Sequence, residues 1–249
     1  MKVKTIVALL GLTVSFVAFG APFAPNSSTP STINVIANGE SSLQTIVNGE
    51  FPGGGINVNT DQSSAALFSS SSTTSSMIPT LIAEFTANDS RQVFGIWFGS
   101  DTSNIVSYDL LLGGASVGNA AGLTISGNTL DVFGPSGSCG SKINCGTFSN
   151  GLINSNAFGF FFRASADSPN YYTLDQLNPG PRQDRVVAFQ NGVSTNWLFA
   201  YEDGTDFDYN DMAVKVESIN AVPEPETYAM MLAGLGAMGF MARRRRKSL

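Results

Sequence analysis

The chain of 249 residues contains no histidine. This absence excludes Ser-His-Asp and Cys-His catalysis, histidine general-base chemistry and the usual zinc sites. Few enzymes work without this side chain, so we expect a protein without catalytic activity. No internal repeat is found.

Positive charge is scarce between residues 21 and 226. This stretch holds six cations and all 19 acidic residues, a net charge of −13, because the other seven cations lie at the two ends of the chain. The whole-chain charge of −6 conceals this imbalance. An acidic body argues against nucleic acid and anionic lipid as partners, and it is compatible with divalent cations.

The amino terminus has the features of a secretory signal peptide. Lys2 and Lys4 precede an apolar stretch at 6–19, and Ala18 and Gly20 place small residues at the −3 and −1 positions of a cut before Ala21. We therefore predict a signal peptide at residues 1–20. The sequence after it contains no lipobox cysteine, so no lipid anchor is expected at this end.

The carboxyl terminus combines a proline-rich break, an apolar run and a basic cluster. Pro223, Glu224 and Pro225 precede an apolar run at 227–242, and five cations follow: Arg243, Arg244, Arg245, Arg246 and Lys247. The run has 16 residues, or about 24 Å of helix, which is short against a hydrocarbon core of roughly 30 Å. We expect a marginal transmembrane helix whose cations stay cytoplasmic, so that the body lies outside the inner membrane on a transient anchor.

These three parts, in this order, resemble the PEP-CTERM sorting signal of Gram-negative bacteria. The resemblance implies that a membrane-embedded exosortase recognises Pro223, Glu224 and Pro225 and removes the helix. The protein would then reach the cell surface or an exopolysaccharide matrix. The alternative is a plain linker and membrane anchor that is not processed.

Between the two ends the pattern is that of an all-β protein. We divide the chain into a signal peptide at 1–20, a flexible leader at 21–32, a β-domain at 33–218, a linker with the Pro-Glu-Pro box at 219–226, and a transmembrane sorting helix with its basic tail at 227–249. Short runs of β-branched and aromatic residues alternate with turn residues, which predicts an antiparallel β-sandwich or jelly roll. The predicted strands are 33–36, 43–47, 80–86, 92–98, 104–112, 122–125, 129–133, 157–164, 185–189, 197–201 and 212–217.

Two local features of the body have structural interpretations. Cys139 and Cys145 are too far apart for a redox-active CxxC pair, and in an exported chain they predict a local disulfide. Two rows of alternating aromatic residues favour core packing, although exposed rows of this kind also serve as sugar-stacking platforms. The rows are Phe158, Phe160 and Phe162, and Trp197, Phe199 and Tyr201.

The densest polar segment, residues 202–211, joins two predicted strands. It contains five acidic residues, and oxygen-bearing side chains at Asp206, Asp208 and Asn210 recur at every second position. Oxygen ligands in a tight loop suit a hard cation such as Ca²⁺. We predict Asp206, Asp208 and Asp211 as first ligands, and the remaining candidates are Asn210, Asp203 and Glu202.

The segment 197–216 resembles an acidic strand-loop-strand motif of exported bacterial β-domains, which likewise suggests calcium. It does not match an EF-hand, because Asp211 stands where the turn glycine belongs and the following residues alternate like a strand. The alternative is a solvated acidic turn in which Asp and Asn side chains satisfy local backbone donors.

The sequence therefore favours an exported, exosortase-sorted protein of the cell surface or exopolysaccharide matrix, with a calcium-stabilised β-domain and a structural or adhesive role. Its expected partners are exosortase and the export machinery, the inner membrane for a time, and exopolysaccharide. Two other functions stay open. One is a carbohydrate-binding module, and the other is a polysaccharide-degrading enzyme that uses a carboxylate pair such as Asp109 and Asp131, or a tyrosine base.

Overall fold

The structure is a computed structural model that describes residues 27, 29–30, 33, 40–72, 76–84, 90–134, 139–180, 183–222, 231–238 and 241. The predicted signal peptide, the Pro-Glu-Pro box at 223–225 and the arginines at 243–246 lie outside the described residues. Of the predicted strand 33–36, only Ile33 is described. The division of the chain into segments stays a prediction.

The described body consists of one short α-helix, thirteen strands and one turn of 3-10 helix at Asp175–Leu177. The α-helix, α1, spans Leu43–Glu50. The strands are β1 Phe68–Ser70, β2 Ile78–Glu84, β3 Val93–Asp101, β4 Asn104–Leu111, β5 Gly122–Ser126, β6 Thr129–Phe133, β7 Gly146–Ser149, β8 Gly159–Arg163, β9 Tyr171–Tyr172, β10 Val186–Gln190, β11 Trp197–Tyr201, β12 Met212–Glu217 and β13 Ile219–Ala221.

Two four-stranded antiparallel sheets form the body. Their strand orders are β10-β11-β12-β2 and β4-β3-β8-β9. A three-stranded sheet, β5-β6-β7, and the two-stranded pair β1-β13 complete the structure. Phe160 on β8 and Phe199 on β11 lie 5.1 Å apart between ring centroids, which joins the inner faces of the two large sheets. The predicted all-β class with antiparallel, sandwich-like sheets is confirmed.

The aromatic rows form the core between these sheets. Because side chains alternate across a strand, Phe160 and Phe162 point inward from β8 while Phe161 packs on the opposite face. Trp197, Phe199 and Tyr201 of β11 belong to the same inner cluster. Burial of each large side chain contributes about 1.5–3 kcal/mol. Since both rows are buried, neither is a sugar-stacking platform.

Residues 43–47 were predicted as a strand, and this prediction is wrong, because they lie in α1. The hydroxyl of Ser42 accepts a hydrogen bond from the backbone N–H of Thr45, which caps the helix. Leu43, Ile46 and Val47 are buried at the i, i+3 and i+4 spacing of one helical face. That face packs on the outer side of the β10-β11-β12-β2 sheet.

The connection from β6 to β7 contains the predicted disulfide. Cys139 and Cys145 are bonded, with Cα atoms 6.0 Å apart. The backbone carbonyl of Lys142, inside the bridged loop, accepts a hydrogen bond from the N–H of Leu112 just after β4. The bridge therefore closes a loop that is attached to the end of a sandwich strand.

Near the carboxyl terminus, residues 231–238 are helical and exposed. Within the described part of the chain, no helix combines the length and the apolarity that crossing a bilayer requires. The predicted transmembrane helix at 227–249 lies largely outside the described residues and stays a prediction.

Candidate metal centre

The acidic segment connects two neighbouring strands, as predicted. Tyr201, the last residue of β11, pairs with Met212, the first residue of β12. Residues 202–211 thus leave and re-enter the sheet at one point, and we call them the acidic loop. The backbone N–H of Glu202 still donates to the carbonyl of Arg185 on the β10 side, at 3.0 Å, so the loop begins in register with the sheet.

Two residues in the middle of the acidic loop have left-handed backbone conformations. Phe207 and Tyr209 have φ angles of 58° and 53°. This left-handed region costs a non-glycine residue roughly 1–2 kcal/mol. Contacts of the two aromatic side chains offset that cost. The hydroxyl of Tyr209, a fully buried residue, donates to the carbonyl of Asp184 at 2.6 Å, and the guanidinium of Arg185 lies 5.5 Å from the centroid of the Phe207 ring.

Three carboxylates converge inside the acidic loop. Glu202, Asp206 and Asp208 each place one oxygen within 4.8 Å of the others. Glu202 is completely buried and Asp208 is 4 % exposed, whereas Asp206 is open to solvent. The cluster therefore has a buried floor and an open side through which an ion could enter.

Backbone donors orient the two buried carboxylates. The N–H of Gly204 donates to Oε1 of Glu202 at 2.7 Å, and the N–H of Tyr209 donates to Oε2 at 3.4 Å. Oδ1 of Asp208 accepts from the N–H of Asn210 at 3.3 Å. These bonds leave lone pairs on the carboxylate oxygens for a further partner.

Burial and mutual repulsion disfavour the charged forms of these groups. Burial, followed by the charges of Asp206 and Asp208, raises the pKa of Glu202 from 4.5 to about 7. Burial also raises the pKa of Asp208. Burial first, and then neighbouring carboxylates, raise the pKa of Asp211 from 3.8 to about 8. A cation held among these oxygens would favour ionisation instead.

The remaining predicted ligands have different positions. Asp211, predicted as a first ligand, lies outside the three-carboxylate cluster, and its Oδ2 accepts the backbone N–H of Asp203 at 2.6 Å, which closes the loop. Asn210 is buried, and its Nδ2 donates to the carbonyl of Ser41 at 3.3 Å and to Oε2 of Glu40 at 3.5 Å. Glu202, a secondary candidate in the sequence, is the most buried member of the cluster.

Sequence reasoning missed the residues that reach the acidic loop from elsewhere. Glu40 comes from the segment before α1, and its charge contributes to raising the pKa of Asp208. Arg185 donates from Nη1 to the carbonyl of Gly204 at 2.7 Å. No local pattern marks either residue, since each acts across a long separation in sequence.

The donor set fits a hard cation. The clustered groups offer only carboxylate oxygens, which calcium prefers at 2.3–2.6 Å, so oxygens bound to one ion lie up to about 5 Å apart. The three oxygens lie within 4.8 Å of one another, which is inside that limit. A Cβ atom at Gly204 would lie 3.2 Å from Oε1 of Glu202 and 3.3 Å from Oδ1 of Asp206, so glycine leaves room beside these two oxygens.

The carboxylate pair considered for an enzyme gains no support from these contacts. Asp109, on β4, accepts a hydrogen bond from Nη2 of Arg163 at 2.7 Å within an ion pair. Asp131 lies on β6 in the separate three-stranded sheet.

Comparison with known protein families identifies the PEP-CTERM protein-sorting motif at residues 221–246. The predicted sorting signal is thereby confirmed. This motif is a substrate signal for exosortase, and it implies export with membrane-associated sorting. Comparison with curated proteins and with solved structures gave no match. The motif begins ten residues after the end of the acidic loop, so it concerns export and not the chemistry of the loop.

Proposed function

We propose that this exported protein binds calcium in the acidic loop and works as a calcium-stabilised β-sandwich at the cell surface or in an exopolysaccharide matrix. Glu202, Asp206 and Asp208 would hold the ion. The observation that carries the proposal is the convergence of three carboxylate oxygens within 4.8 Å, two of them from buried residues.

Such a cluster of carboxylates raises the free energy of the folded protein when no cation is bound. At an effective dielectric constant of about 20, two unit charges about 5 Å apart repel each other by ~3 kcal/mol. Three ionised groups experience this repulsion pairwise, and two of them also lose hydration through burial. A divalent cation replaces both penalties by attraction, and an open side at Asp206 gives it access.

A calcium-loaded loop would also strengthen the attachment of the amino-terminal segment. Asn210 follows the cluster directly and hydrogen-bonds Glu40 and Ser41, which precede α1. An ion that fixes Asp208 would fix Asn210 as well, because the Asn210 N–H donates to the Asp208 carboxylate. The expected result is a stiffer body when calcium is bound.

A structural or adhesive role in the matrix agrees with the charge of the body. A net charge of −13 between residues 21 and 226 disfavours nucleic acid and anionic lipid as partners. Because calcium takes oxygen ligands, a calcium-loaded acidic surface suits contact with the oxygen-bearing groups of an exopolysaccharide. Retention of the protein on purified matrix polysaccharide, with calcium but not with chelator, tests this part. If the polysaccharide retains no protein either with calcium or with chelator, the adhesive role is refuted.

Isothermal titration of the full-length protein with Ca²⁺ and with Mg²⁺ tests the site itself. We expect one calcium site per chain and weaker magnesium binding, because magnesium requires a more regular geometry and releases water reluctantly. The triple variant Glu202→Gln/Asp206→Asn/Asp208→Asn should not bind calcium. The matched control Asp61→Asn/Asp101→Asn/Asp131→Asn removes the same charge elsewhere and should still bind calcium. Equal binding by the two triple variants, or no binding by the wild type, would refute the proposal.

A further inference from the structure

We infer that Arg185 is a positioning residue for the acidic loop and sets its affinity for a cation without touching that cation. The inference rests on the proposed calcium site. This one basic side chain contacts the loop both before and after Asp206, the exposed member of the cluster.

Arg185 contacts the acidic loop in three ways. Its guanidinium donates from Nη1 to the carbonyl of Gly204 at 2.7 Å. The same guanidinium lies 5.5 Å from the centroid of the Phe207 ring. Its backbone carbonyl accepts the N–H of Glu202 at 3.0 Å. The guanidinium also lies 5.1 Å from the ring centroid of Tyr171, so it is close to two aromatic rings.

The contacts of Arg185 lie next to the clustered carboxylates in the chain. Gly204 precedes Asp206 by two residues, and Phe207 lies between Asp206 and Asp208. The N–H of Gly204 donates to the Glu202 carboxylate while its carbonyl accepts from Arg185, so one peptide segment links the guanidinium to a buried ligand. Phe207 has a positive φ, and the stacked guanidinium stabilises that strained conformation.

The chemistry favours arginine over lysine at this place. A planar guanidinium can lie against two aromatic rings and still donate a directed hydrogen bond, whereas an ammonium is a compact, strongly hydrated charge. The observed acceptor of the Nη1 bond is a neutral carbonyl, so this bond consumes no carboxylate oxygen of the cluster. Arg185 therefore orders the loop through a backbone carbonyl and not through a carboxylate.

The test compares Arg185→Gln and Arg185→Lys with a matched control, Arg163→Gln, in the full-length protein. Arg163 is likewise partly exposed, hydrogen-bonded and 6.0 Å from an aromatic ring, but it pairs with Asp109 on the other sheet. All three variants are titrated with Ca²⁺ and then with Tb³⁺. The luminescence lifetime of bound Tb³⁺ in H₂O and D₂O reports how many water molecules remain on the ion.

We expect Arg185→Gln to raise the calcium dissociation constant roughly tenfold or more, as is usual for residues that orient metal ligands. We also expect extra water on bound Tb³⁺. Arg185→Lys, which keeps the charge and removes the planar group, should lie between Arg185→Gln and the wild type. Arg163→Gln should match the wild type in both readouts. A purely structural role of Arg185 would lower the melting temperature and leave the Tb³⁺ hydration unchanged.

The outcomes separate this inference from the proposed function. If the wild type binds calcium and both Arg185 variants bind it as tightly, with the same Tb³⁺ hydration, Arg185 is not a positioning residue and the calcium site stands. If Arg185→Gln does not fold, Arg185→Lys decides by the same readouts. If the wild type binds no calcium, the proposed function fails, and the inference about Arg185 fails with it.

Discussion

Asn210 donates its side-chain amide to the backbone carbonyl of Ser41, 169 residues earlier in the chain, at a nitrogen–oxygen distance of 3.3 Å. The next residue, Ser42, caps α1. The acidic loop is therefore hydrogen-bonded to the start of the helix that covers the outer face of the β10-β11-β12-β2 sheet.

This relationship predicts that calcium protects α1 from hydrogen exchange. If the ion fixes the loop, the amides of Leu43–Glu50 should exchange more slowly, by up to about a hundredfold at a hundred times the dissociation constant. The β5–β6 hairpin lies in a separate sheet and should change less. Mass spectrometry of exchanged peptides measures both. Equal exchange of α1 with calcium and with chelator would contradict the coupling.

Gly204→Ala should weaken calcium binding. The added Cβ would lie 3.2 Å from Glu202 Oε1 and 3.3 Å from Asp206 Oδ1, so both oxygens would have to move away from their positions. A strain of ~1.4 kcal/mol in the bound state lowers affinity about tenfold. Gly151→Ala is the control, because a Cβ there meets nothing within 4 Å. If titration gives the same dissociation constant for both variants, Gly204 does not adjoin the ion.

Most of the strands were predicted correctly, because the alternating pattern that marks a strand lies within a few consecutive residues. Alternation of aromatic and β-branched residues marked nine strands, including β8 and β11, whose inner faces form the core. The helix α1 was misread, since Leu43, Ile46 and Val47 resemble a short strand until the Ser42 cap is recognised. The short strands β1, β7, β9 and β13 were missed. Segments such as Gly146–Ser149 carry no hydrophobic alternation and exist only because a neighbouring strand pairs with them.

The candidate site was predictable in place but not in detail. Five acidic residues between two strand patterns marked the acidic loop, and the structure brings Glu202, Asp206 and Asp208 together. The positive φ angles of Phe207 and Tyr209 determine which carboxylates turn inward. These angles could not be predicted, because phenylalanine and tyrosine rarely adopt them. Glu40 and Arg185 reach the loop only through the tertiary fold.

The elevated pKa values predict how stability depends on pH in the presence of chelator. Glu202 and Asp211 have pKa values of about 7 and 8 in the folded protein, against 4.5 and 3.8 ordinarily. Between about pH 4 and pH 8 the folded state binds more protons than the unfolded state, because both carboxyls have higher pKa values in the folded protein. The free energy of unfolding should therefore fall as the pH rises through this range. Urea denaturation at pH 5 and pH 8 measures the change.

A double variant isolates the two groups. Glu202→Gln/Asp211→Asn cannot titrate at either position, so its stability should fall less between pH 5 and pH 8 than that of the wild type. Asp61→Asn/Asp101→Asn should leave the wild-type slope nearly unchanged, because hydrogen bonds lower the pKa of both carboxyls below the ordinary value of 3.8. An identical slope in the wild type and the Glu202/Asp211 variant would show that these carboxyls are not protonated on folding.

Removing the disulfide should destabilise the body without affecting the site. Cys139→Ser/Cys145→Ser opens a small loop, and the chain-entropy model gives a loss of about 2 kcal/mol. Denaturation of the wild type in reductant should give the same loss. The calcium dissociation constant should not change, because the bridge lies in the β6–β7 connection. An unchanged free energy of unfolding in both experiments would show that the disulfide does not stabilise the body.

Calorimetric unfolding of the purified protein, with calcium and with chelator, is the most direct test of the calcium-stabilised sandwich. At a calcium concentration of a hundred times the dissociation constant, the free energy of unfolding should rise by about 2.7 kcal/mol. The rise should disappear in Glu202→Gln/Asp206→Asn/Asp208→Asn. An identical melting temperature of the wild type with calcium and with chelator would contradict the account.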